Sequence, residues 1–391
     1  MKILVISQYY YPEPFRITDI CEELVKLGHD VLVVTGTPNY PMGKIYEGYE
    51  KKKKSDEVIN GVKIHRCKIH PRKSGSIHRL WNYYSYCFAS TKYIKKLDNS
   101  YDIVFINQLS PVMMAKAGIK YAKFHNKKSI LYCLDLWPAS LIAGGVSKGL
   151  IYKWFYHESK KIYKSVDKIL ITSKSFAKYF KEEFDIKDTY YLPQYAEDRF
   201  NFEECKKVPN EFIDLMFAGN IGTFQSVDTI IKSASLCKDI KNLRWHIVGD
   251  GIELDNCKKL ANRLGVSINF YGRKSLDEMP KYYSMADAML VTMKKDDILN
   301  MTLPGKVQSY MAAGKPILGA IDGETQFIVK EANCGYITDA EDVVGLEKIV
   351  RKFVKNINFK KFGQNSREYY NDNFSKKNFI NSLIKYWSKD I

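Results

Sequence analysis

Short apolar runs rich in β-branched residues alternate with amphipathic helical patterns along most of this 391-residue chain. Runs of this length, bounded by polar turns, are typical of strands buried on both faces, as in parallel sheets with crossover helices. The pattern predicts one doubly wound sheet in each half of the chain. In the first half, strands are predicted at 3–7, 31–35, 103–107, 129–134, 168–172 and 189–192. In the second half, strands are predicted at 214–218, 244–249, 268–271, 288–292, 316–320 and 335–337.

Length and a change in composition divide the chain into two domains. A chain of 391 residues exceeds one ordinary core and fits two domains of roughly 150–200 residues. A polar, charged stretch at 196–210 separates the two sets of strands and is the predicted linker. We therefore predict an α/β protein with Rossmann-like domains at 1–195 and 196–372. The pattern at 373–391 predicts a C-terminal helix, and we expect this helix to pack back on the first domain.

Composition excludes several classes of protein. With 45% hydrophobic and 14% aromatic residues, the chain is not disordered over most of its length. Its longest apolar runs are strand-sized, far short of the ~20 residues of a membrane helix, and the run at 3–6 is too short for a signal peptide. Eight scattered cysteines without C-x-x-C spacing indicate reduced thiols. We therefore expect a cytoplasmic protein.

The formal net charge of +17 is concentrated in the first half of the chain. Residues 1–195 hold 32 Lys and Arg against 18 Asp and Glu, whereas the remainder holds 29 against 26. Residues 44–96 alone hold 14 basic and 4 acidic side chains, including the run Lys51–Lys54. Such a field favours a polyanion or an anionic membrane surface, although a solvated lysine-rich surface is the alternative.

A predicted helix at 77–97 combines aromatic side chains with cations at both ends. Tryptophan and tyrosine flanked by lysine and arginine suit the headgroup zone of a bilayer. We predict that residues 44–97 dock on the inner face of the cell membrane, which would make the protein peripherally associated. The alternative is an ordinary crossover helix that packs its aromatics inward. No nucleic-acid partner is predicted, because no recognition-helix or RNP signature accompanies the charge.

The segment 303–320 carries the clearest functional pattern. A Pro-Gly turn delivers Lys306 into the first turn of a helix, where free N–H groups and the helix dipole favour an anion. The helix is predicted to end at Gly314, and Pro316 opens a short apolar strand. A second strand–loop–helix unit, at 215–222, has a glycine-bounded turn. Two such units in one half of the chain predict a diphosphate ligand held between them.

The order and spacing of these motifs resemble the retaining glycosyltransferases of family four, which have the GT-B fold. The resemblance is carried by segments at 10–18, 27–31, 135–138, 217–225, 270–273 and 303–306. It is strongest to the branch that builds bacterial capsule and O-antigen repeats, which includes L-fucosamine transferases. It implies two doubly wound domains facing each other across a cleft. The first domain would bind the acceptor, and the second would bind a nucleotide-sugar donor.

The resemblance assigns a donor site residue by residue. Gly219 and Gly222 would let the backbone approach the diphosphate, with Asn220 and Gln225 as polar contacts. Lys306 would neutralise the charge that grows on the phosphate as the sugar–phosphate bond breaks. Alternatively, the glycines serve only a tight turn and the lysine is an ordinary surface residue. The further donor-site positions are Gly249, Arg273, Leu303, Pro304, Gly305 and Ser309.

One departure from the family pattern affects recognition of the ribose and the diphosphate. Many relatives carry two glutamates eight positions apart, and alignment on the Pro-Gly-Lys turn puts Met301 and Ser309 at those positions. The ribose must therefore be bound differently, through Ser309 or a backbone group. The turn after the first glycine loop also lacks the cation found in other branches. The charge of the diphosphate would then be neutralised mainly by Lys306, Arg273 and Arg16. We expect Arg273 to lie near the base or the diphosphate.

In the first domain, Arg16 and Asp135 are the candidate functional residues. Arg16 follows the proline-rich loop after the first strand and is expected to reach phosphate. Pairing with Glu13 is the alternative. Asp135 follows a buried strand and would orient the acceptor hydroxyl or the donor sugar, whereas capping of the next helix is the alternative. We assign Lys306, Asp135 and Arg16 as the catalytic residues.

No metal ion or cofactor is expected. The chain has no Asp-x-Asp motif, and its seven histidines show no metal-ligand spacing. The retaining chemistry of the family is described as front-face attack, in which a phosphate oxygen of the donor helps to remove the acceptor proton. This chemistry requires no protein nucleophile.

Together these observations predict a glycosyltransferase of bacterial surface polysaccharide synthesis. It would move an N-acetylated or deoxy hexose from a UDP-sugar to a saccharide on polyprenyl diphosphate, with retention of configuration. One alternative is a nucleotide-sugar epimerase of the same fold, although we locate no acidic catalysts for it. Another is a non-enzymatic polyanion-binding protein. A Rossmann dehydrogenase would need G-x-G-x-x-G after the first strand, and this chain has none there.

Overall fold

The computed structural model describes residues 1–50, 55–73, 75–143, 145–355 and 359–388. Packing divides the chain into two units. The first unit comprises Met1–Leu192 and the chain from Ser382 onward, and the second comprises Pro193–Asn381. The run Lys51–Lys54, which belongs to the predicted membrane-facing stretch, lies outside the described residues.

The first unit is built on an eight-stranded sheet. Its strands are β1 (Lys2–Ile6), β2 (Asp30–Gly36), β3 (Asp56–Ile59), β4 (Val62–Cys67), β5 (Ile103–Gln108), β6 (Lys128–Cys133), β7 (Lys168–Ile171) and β8 (Tyr190–Tyr191). Their order is β3-β4-β2-β1-β5-β6-β7-β8. All neighbours are parallel except β3 and β4. The strand order reverses between β1 and β5, the kind of switch point at which ligands bind in open α/β sheets.

The six strands predicted for the first half are all present, with small shifts at their ends. Their buried, nearly uninterrupted apolar runs explain why they could be recognised. The hairpin of β3 and β4 at the sheet edge is not among the predicted strands. Residues of β3 alternate between exposed and half-buried positions, so this edge strand has no apolar run to reveal it.

Helices cover the sheet of the first unit. They are α1 (Ile17–Lys26), α2 (Ser76–Ile94), α3 (Lys116–His125), α4 (Ala139–Ala143), α5 (Leu150–Tyr163) and α6 (Phe176–Phe184). The last helix of the chain, α14 (Lys376–Ser388), returns to this unit. There, Lys168 Nζ donates to the carbonyl of Tyr386 at 2.8 Å, and the ring of Trp387 lies 5.8 Å from that of Phe105.

The second unit contains a six-stranded, fully parallel sheet. Its strands are β9 (Ile213–Ala218), β10 (Leu243–Val248), β11 (Ile268–Phe270), β12 (Ala288–Thr292), β13 (Ile317–Ala320) and β14 (Gly335–Thr338). The order β11-β10-β9-β12-β13-β14 is that of a dinucleotide-binding sheet. Its switch point lies between β9 and β12. All six strands predicted for this half are present.

Two hydrophobic cores hold the second unit together, one on each face of its sheet. Alternation along β9 sends Met216 and Ala218 to one core and Leu215 and Phe217 to the other. Its helices are α7 (Val227–Leu236), α8 (Leu254–Leu264), α9 (Met279–Met285), α10 (Gly305–Ala312), α11 (Glu324–Glu331), α12 (Val343–Val354) and α13 (Phe359–Asn373). Helices α9, α10, α11 and α13 build the first core, and α7, α8 and α12 build the second.

Candidate functional site

The loop after β9 is organised by its own side chains. The Gln225 carboxamide oxygen accepts the N–H of Gly222 at 3.1 Å and the side-chain amide of Asn220 at 3.0 Å. These bonds close a short 3₁₀ turn, Thr223–Gln225, that leads into α7. Asn220 and Gln225, predicted as polar ligand contacts, therefore also shape the turn that presents Gly219 and Gly222.

Glycines let the loops after β9 and β10 touch. Gly219 has a φ of 142° and Gly249 a φ of 141°, which side-chain-bearing residues rarely adopt. A β-carbon on Gly249 would lie 1.8 Å from the carbonyl oxygen of Gly219. The Gly249 N–H in turn donates to the carbonyl of Gly272 at 2.9 Å, at the end of β11. Three loops thus converge at the carboxyl edge of the sheet, on the β9 side of its switch point.

Lys306 brings a cation to this edge. Its ammonium group lies 3.8 Å from the centre of the Phe217 ring, and a β-carbon on Gly219 would sit 2.7 Å from it. The amine is buried, and within the part of the chain that the structure describes it has no hydrogen-bond partner. Burial lowers the pKa of Lys306 to about 7. A buried amine without a hydrogen-bond partner lowers the stability of the protein. The position of Lys306 therefore favours an anionic ligand that supplies the missing hydrogen-bond acceptors.

The start of α10 supplies further donors beside this lysine. Pro304 caps the helix in an extended conformation, and Gly305 and Lys306 form its first turn. First-turn N–H groups have no carbonyl one turn earlier, and the helix dipole makes this end positive. Leu303 is buried in the core and anchors the turn. Backbone donors and a buried lysine together form an arrangement suited to phosphate.

Tyr310 fixes the position of α10, and Ser309 makes a hydrogen bond within the helix. The Tyr310 hydroxyl accepts the N–H of Ala218 at 3.1 Å and donates to the carbonyl of the same residue at 2.9 Å, which ties α10 to the end of β9. Ser309 is buried, and its hydroxyl donates to the Gly305 carbonyl at 3.3 Å. The predicted ribose contact by Ser309 would have to compete with, or share, this internal bond.

Arg273 occupies the loop after β11, directly following Gly272, and its side chain is exposed. The main-chain bond from Gly249 to Gly272 joins this loop to the glycine cluster. The structure thus brings the donor-site candidates of the second unit to one sheet edge. Whether Arg273 meets the base or the diphosphate stays a prediction.

In the first unit, Asp135 follows β6 and is held by hydroxyl groups. Its carboxylate accepts the hydroxyls of Ser110 and of Ser140, the latter at 2.9 Å. Ser110 follows β5, so the cluster lies at the carboxyl edge of this sheet. Burial raises the pKa of Asp135, and the bonds from Ser140 and the N–H of Leu136 oppose that rise. The next helix, α4, begins only at Ala139, which separates Asp135 from a cap position.

Arg16 lies at the start of α1, after the loop that follows β1. Its charge opposes the rise that burial imposes on the pKa of Tyr132, a residue of β6. Glu13, the alternative partner named from the sequence, accepts backbone N–H groups of Asn39 and Tyr40 at 2.8 and 2.7 Å. Glu13 therefore orders the loop after β2. Arg16 and Asp135 share the carboxyl edge of the first sheet.

Several residues that contribute to these sites were not predicted from the sequence. Phe217 lies beneath the ammonium group, Tyr310 fixes α10, and Ser110 and Ser140 hold Asp135. An aromatic residue near the end of a strand that precedes a glycine loop is the one signal that could have identified Phe217. The serines and the tyrosine meet their partners only through tertiary packing.

Within the described residue ranges, no group of three or more His, Cys, Asp or Glu side chains is placed to hold a metal ion. Metal independence nevertheless stays a prediction. Among the same residues, none of the helices has the length and apolar character needed to cross a bilayer. The eight cysteines are buried and unpaired by disulfides.

Comparison with known proteins covers both halves of the chain. The family model "Glycosyltransferase Family 4" matches residues 16–192, and the model "Glycosyl transferases group 1" matches residues 198–369. WcaI of Escherichia coli K12, whose name assigns it to colanic acid biosynthesis as a glycosyl transferase, is 24% identical over 341 residues. That alignment covers 80% of this chain and 82% of WcaI.

Two solved structures share the fold over almost the whole chain. Sucrose-phosphate synthase from Thermosynechococcus elongatus has a TM-score of 0.78 at 15% identity, covering 99% of this chain and 98% of that chain. HepE of Anabaena, solved in complex with UDP, has a TM-score of 0.74 at 13% identity, covering 99% and 100%. These identities show the fold alone. With the two family models and WcaI, they establish this chain as a glycosyltransferase with the GT-B fold.

Proposed function

We propose that this glycosyltransferase moves a sugar from a UDP-sugar to a saccharide carried on polyprenyl diphosphate, in the synthesis of a bacterial surface polysaccharide. The second unit would bind the donor and the first unit the acceptor, with the domain boundary at 195/196. The kinship with WcaI, whose name places it in colanic acid biosynthesis, supports the class of product. UDP in the HepE complex supports the donor nucleotide.

The observation that carries the proposal is the unpartnered amine of Lys306. A buried ammonium group without a hydrogen bond destabilises the unliganded protein, and a diphosphate would supply both charge and acceptors. The first turn of α10 and the loop at Gly219 would contribute backbone donors to the same phosphate groups. During transfer, negative charge grows on the leaving phosphate, and Lys306 would stabilise that charge more than the ground state.

Retention of configuration would follow from front-face attack. In this step the acceptor hydroxyl forms a bond to the sugar carbon while the bond to the UDP oxygen breaks. A phosphate oxygen of the leaving UDP accepts the hydroxyl proton. Asp135 would orient the acceptor hydroxyl or the donor sugar, and Arg16 would contact phosphate. No metal ion enters this proposal.

Details of the substrates follow the family resemblance. An N-acetylated or deoxy hexose is the proposed sugar, and Arg273 would contact the base or the diphosphate. The ribose would be bound through Ser309 or a backbone group. Peripheral association with the inner face of the cell membrane, through residues 44–97, would bring the first unit to its lipid-linked acceptor.

Calorimetric titration with UDP, GDP, ADP and dTDP tests the donor class. We expect UDP to bind most tightly, and preference for another nucleotide would overturn the assignment of the base. Incubation of a UDP-sugar panel with and without a polyprenyl-diphosphate saccharide then tests the reaction. Transfer that requires the acceptor supports the proposal, whereas turnover of the donor alone would favour the epimerase.

A further inference from the structure

The first unit exposes an apolar strip across two neighbouring helices. On α2, Trp81 and Phe88 are 64% and 70% exposed and lie two turns apart on one face. On α5, Leu150, Ile151 and Trp154 are 85%, 68% and 47% exposed. Side chains of this size are seldom left in water together without a partner.

Ring contacts join the two halves of the strip. Tyr84 of α2 lies 6.2 Å from Phe88 on the same helix and 6.4 Å from Trp154 of α5, measured between ring centres. The opposite face of α2 is buried, with Tyr83 and Tyr86 in the core. Helix α2 is therefore both the inward-packing crossover helix and, on its outer face, part of the strip.

The surrounding surface is strongly basic. Helices α2, α3 and α5 together carry eight Lys and Arg side chains and one acid, Glu158. A groove of about 520 Å³ between α3 and α5 is lined by four lysines, by the exposed ring of Phe124 and by Glu158, which pairs with Lys116 and Lys161 and leaves a net positive charge. These lysines are Lys116, Lys120, Lys123 and Lys161.

Other helices of the same unit provide the contrast. Helix α1 carries three acids and one lysine, and α6 carries two acids and two lysines. Among the described residues of these two helices, no large apolar side chain is exposed. Positive charge and exposed apolar side chains therefore occur together on α2, α3 and α5. A surface that is lysine-rich throughout would not show this difference between helices.

We propose that α2, α3 and α5 form a docking face for a bilayer that contains anionic phospholipid. Leu150, Ile151 and Trp154 of α5 enter the boundary between headgroups and acyl chains. The lysines around the α3–α5 groove meet the lipid phosphates. This docking face deepens the proposed function and rests on its lipid-linked acceptor. It adds α3 and α5 to the stretch at 44–97 that was predicted from the sequence.

Co-sedimentation with vesicles tests the face. The wild-type protein is expected to bind phosphatidylcholine vesicles containing phosphatidylglycerol and to bind pure phosphatidylcholine much more weakly. The double variant Leu150→Ser/Ile151→Ser should lower the partition coefficient roughly tenfold or more, because two large side chains no longer leave water. The double variant Lys120→Glu/Lys123→Glu should lower the partition coefficient to a similar extent on vesicles that contain phosphatidylglycerol. It should have little effect on pure phosphatidylcholine vesicles.

A control removes two other exposed apolar side chains, in this case from the second unit. Val208 and Val344 are 73% and 52% exposed, and Val208→Ser/Val344→Ser should leave vesicle binding unchanged. Absence of wild-type binding would overturn the proposal, as would wild-type affinity in the Leu150→Ser/Ile151→Ser variant. A loss in the control as large as in that variant would also overturn it.

Fluorescence quenching by lipids brominated in their acyl chains tests insertion directly. Trp154→Phe should remove a large part of the quenching, whereas Trp245→Phe, at a buried position of the second unit, should not. Equal quenching in both variants would contradict insertion of α5.

Calorimetry with UDP on the same proteins separates this inference from the proposed function. The Leu150→Ser/Ile151→Ser variant should bind UDP as the wild type does. Failure of vesicle binding while UDP binding persists rejects only the docking face. Failure of UDP binding while vesicle binding persists rejects only the proposed donor.

Discussion

In the second unit, a buried charged group lies at each edge of the sheet, and the two groups differ in their hydrogen-bond partners. At the amino edge, the buried carboxylate of Asp214 accepts hydrogen bonds from Arg244, at 2.6 and 2.9 Å, from His246, at 2.8 Å, and from Lys207. At the carboxyl edge, the buried amine of Lys306 has no hydrogen-bond partner among the described residues. The single strand β9 connects the two places.

In the proposed function, this difference separates a structural charge, Asp214, from a functional one, Lys306. Burial raises the pKa of Asp214, but its bonds from His246, Arg244 and Lys207 lower it more, so that the pKa lies well below its usual range. For Lys306, burial alone lowers the pKa to about 7. Asp214 is stabilised by the protein itself, whereas the partner that we propose for Lys306 is a bound anion.

Asp214→Asn should give the largest effect, on stability. Removal of the buried carboxylate charge leaves the partly buried Arg244 without its anion and Lys207 with Asp287 alone, so the free energy of unfolding should fall by about 3–5 kcal/mol. Denaturant titration measures this loss. In the wild type, the stabilisation from Asp214 should be fully present above the ordinary carboxyl pKa and lost as the pH falls below it.

Asp228→Asn is the matched control, since Asp228 pairs with Lys232 at 2.7 Å near solvent. Its loss should change the free energy of unfolding by at most about 1 kcal/mol. Equal losses in the two variants would contradict the structural role of the amino edge, as would weakened UDP binding in folded Asp214→Asn protein.

Lys306→Met should give the next largest effect, on turnover. Loss of the charge should lower kcat roughly 10²–10³-fold, the range for one lost transition-state contact. Stability should not fall, because methionine fills similar space without an unpartnered buried amine. Steady-state kinetics and denaturant titration on one preparation measure both quantities.

Lys315→Met is the control at the other end of α10. Lys315 is also buried, but its amine donates to the carbonyl of Ala286 at 2.8 Å. Turnover should therefore be retained in this variant. Near-normal activity of Lys306→Met, or its unfolding at lower denaturant concentration than wild type, would place Lys306 among the structural charges.

Asp135→Asn extends the comparison to the first unit. The two serine hydroxyls can still donate to the amide oxygen, so the fold should persist while the charge is lost. We expect kcat to fall roughly 10²-fold, with little change in the Kd for UDP. If the rate is unaffected, Asp135 belongs with the structural groups.

The pH dependence of UDP binding should give the smallest effect. In the unliganded protein the pKa of Lys306 is about 7, and a bound diphosphate should raise it. Above pH 7, binding of UDP should therefore be accompanied by uptake of a proton. Below pH 7, titration of Lys306 should not change the Kd for UDP. Above pH 7, the Kd should rise by up to about tenfold per pH unit. Titrations in buffers of different ionisation enthalpy measure the uptake.

Lys306→Met provides the reference for this slope, since it keeps the titration of the nucleotide's own phosphate. Proton uptake should disappear in the variant. The same slope in both proteins would mean that Lys306 is charged before UDP arrives.

Most of the fold could be predicted from the sequence, because the strands are buried and their apolar runs are distinct. Every predicted strand is present, and the glycine loops fall at strand ends. The edge hairpin β3–β4 could not be predicted, since half-exposed positions give no apolar run. The predicted C-terminal helix starts too early at 373, because α13 extends to Asn373 and α14 begins only at Lys376.

The site was only partly predictable. A glycine loop and a Pro-Gly-Lys turn are local patterns, so Gly219 and Lys306 could be named as candidates from the sequence, and the structure places them side by side. The roles of Phe217 and Tyr310 depend on how α10 packs against β9, which no local pattern records. The internal bond of Ser309 likewise appears only in the folded chain.

A crystal structure of the UDP complex tests the central assignment most directly. We predict a phosphate oxygen within hydrogen-bonding distance of Lys306 Nζ, with a second contact to the first-turn N–H groups of α10. A diphosphate bound away from Lys306, leaving the amine without a partner, would contradict the account.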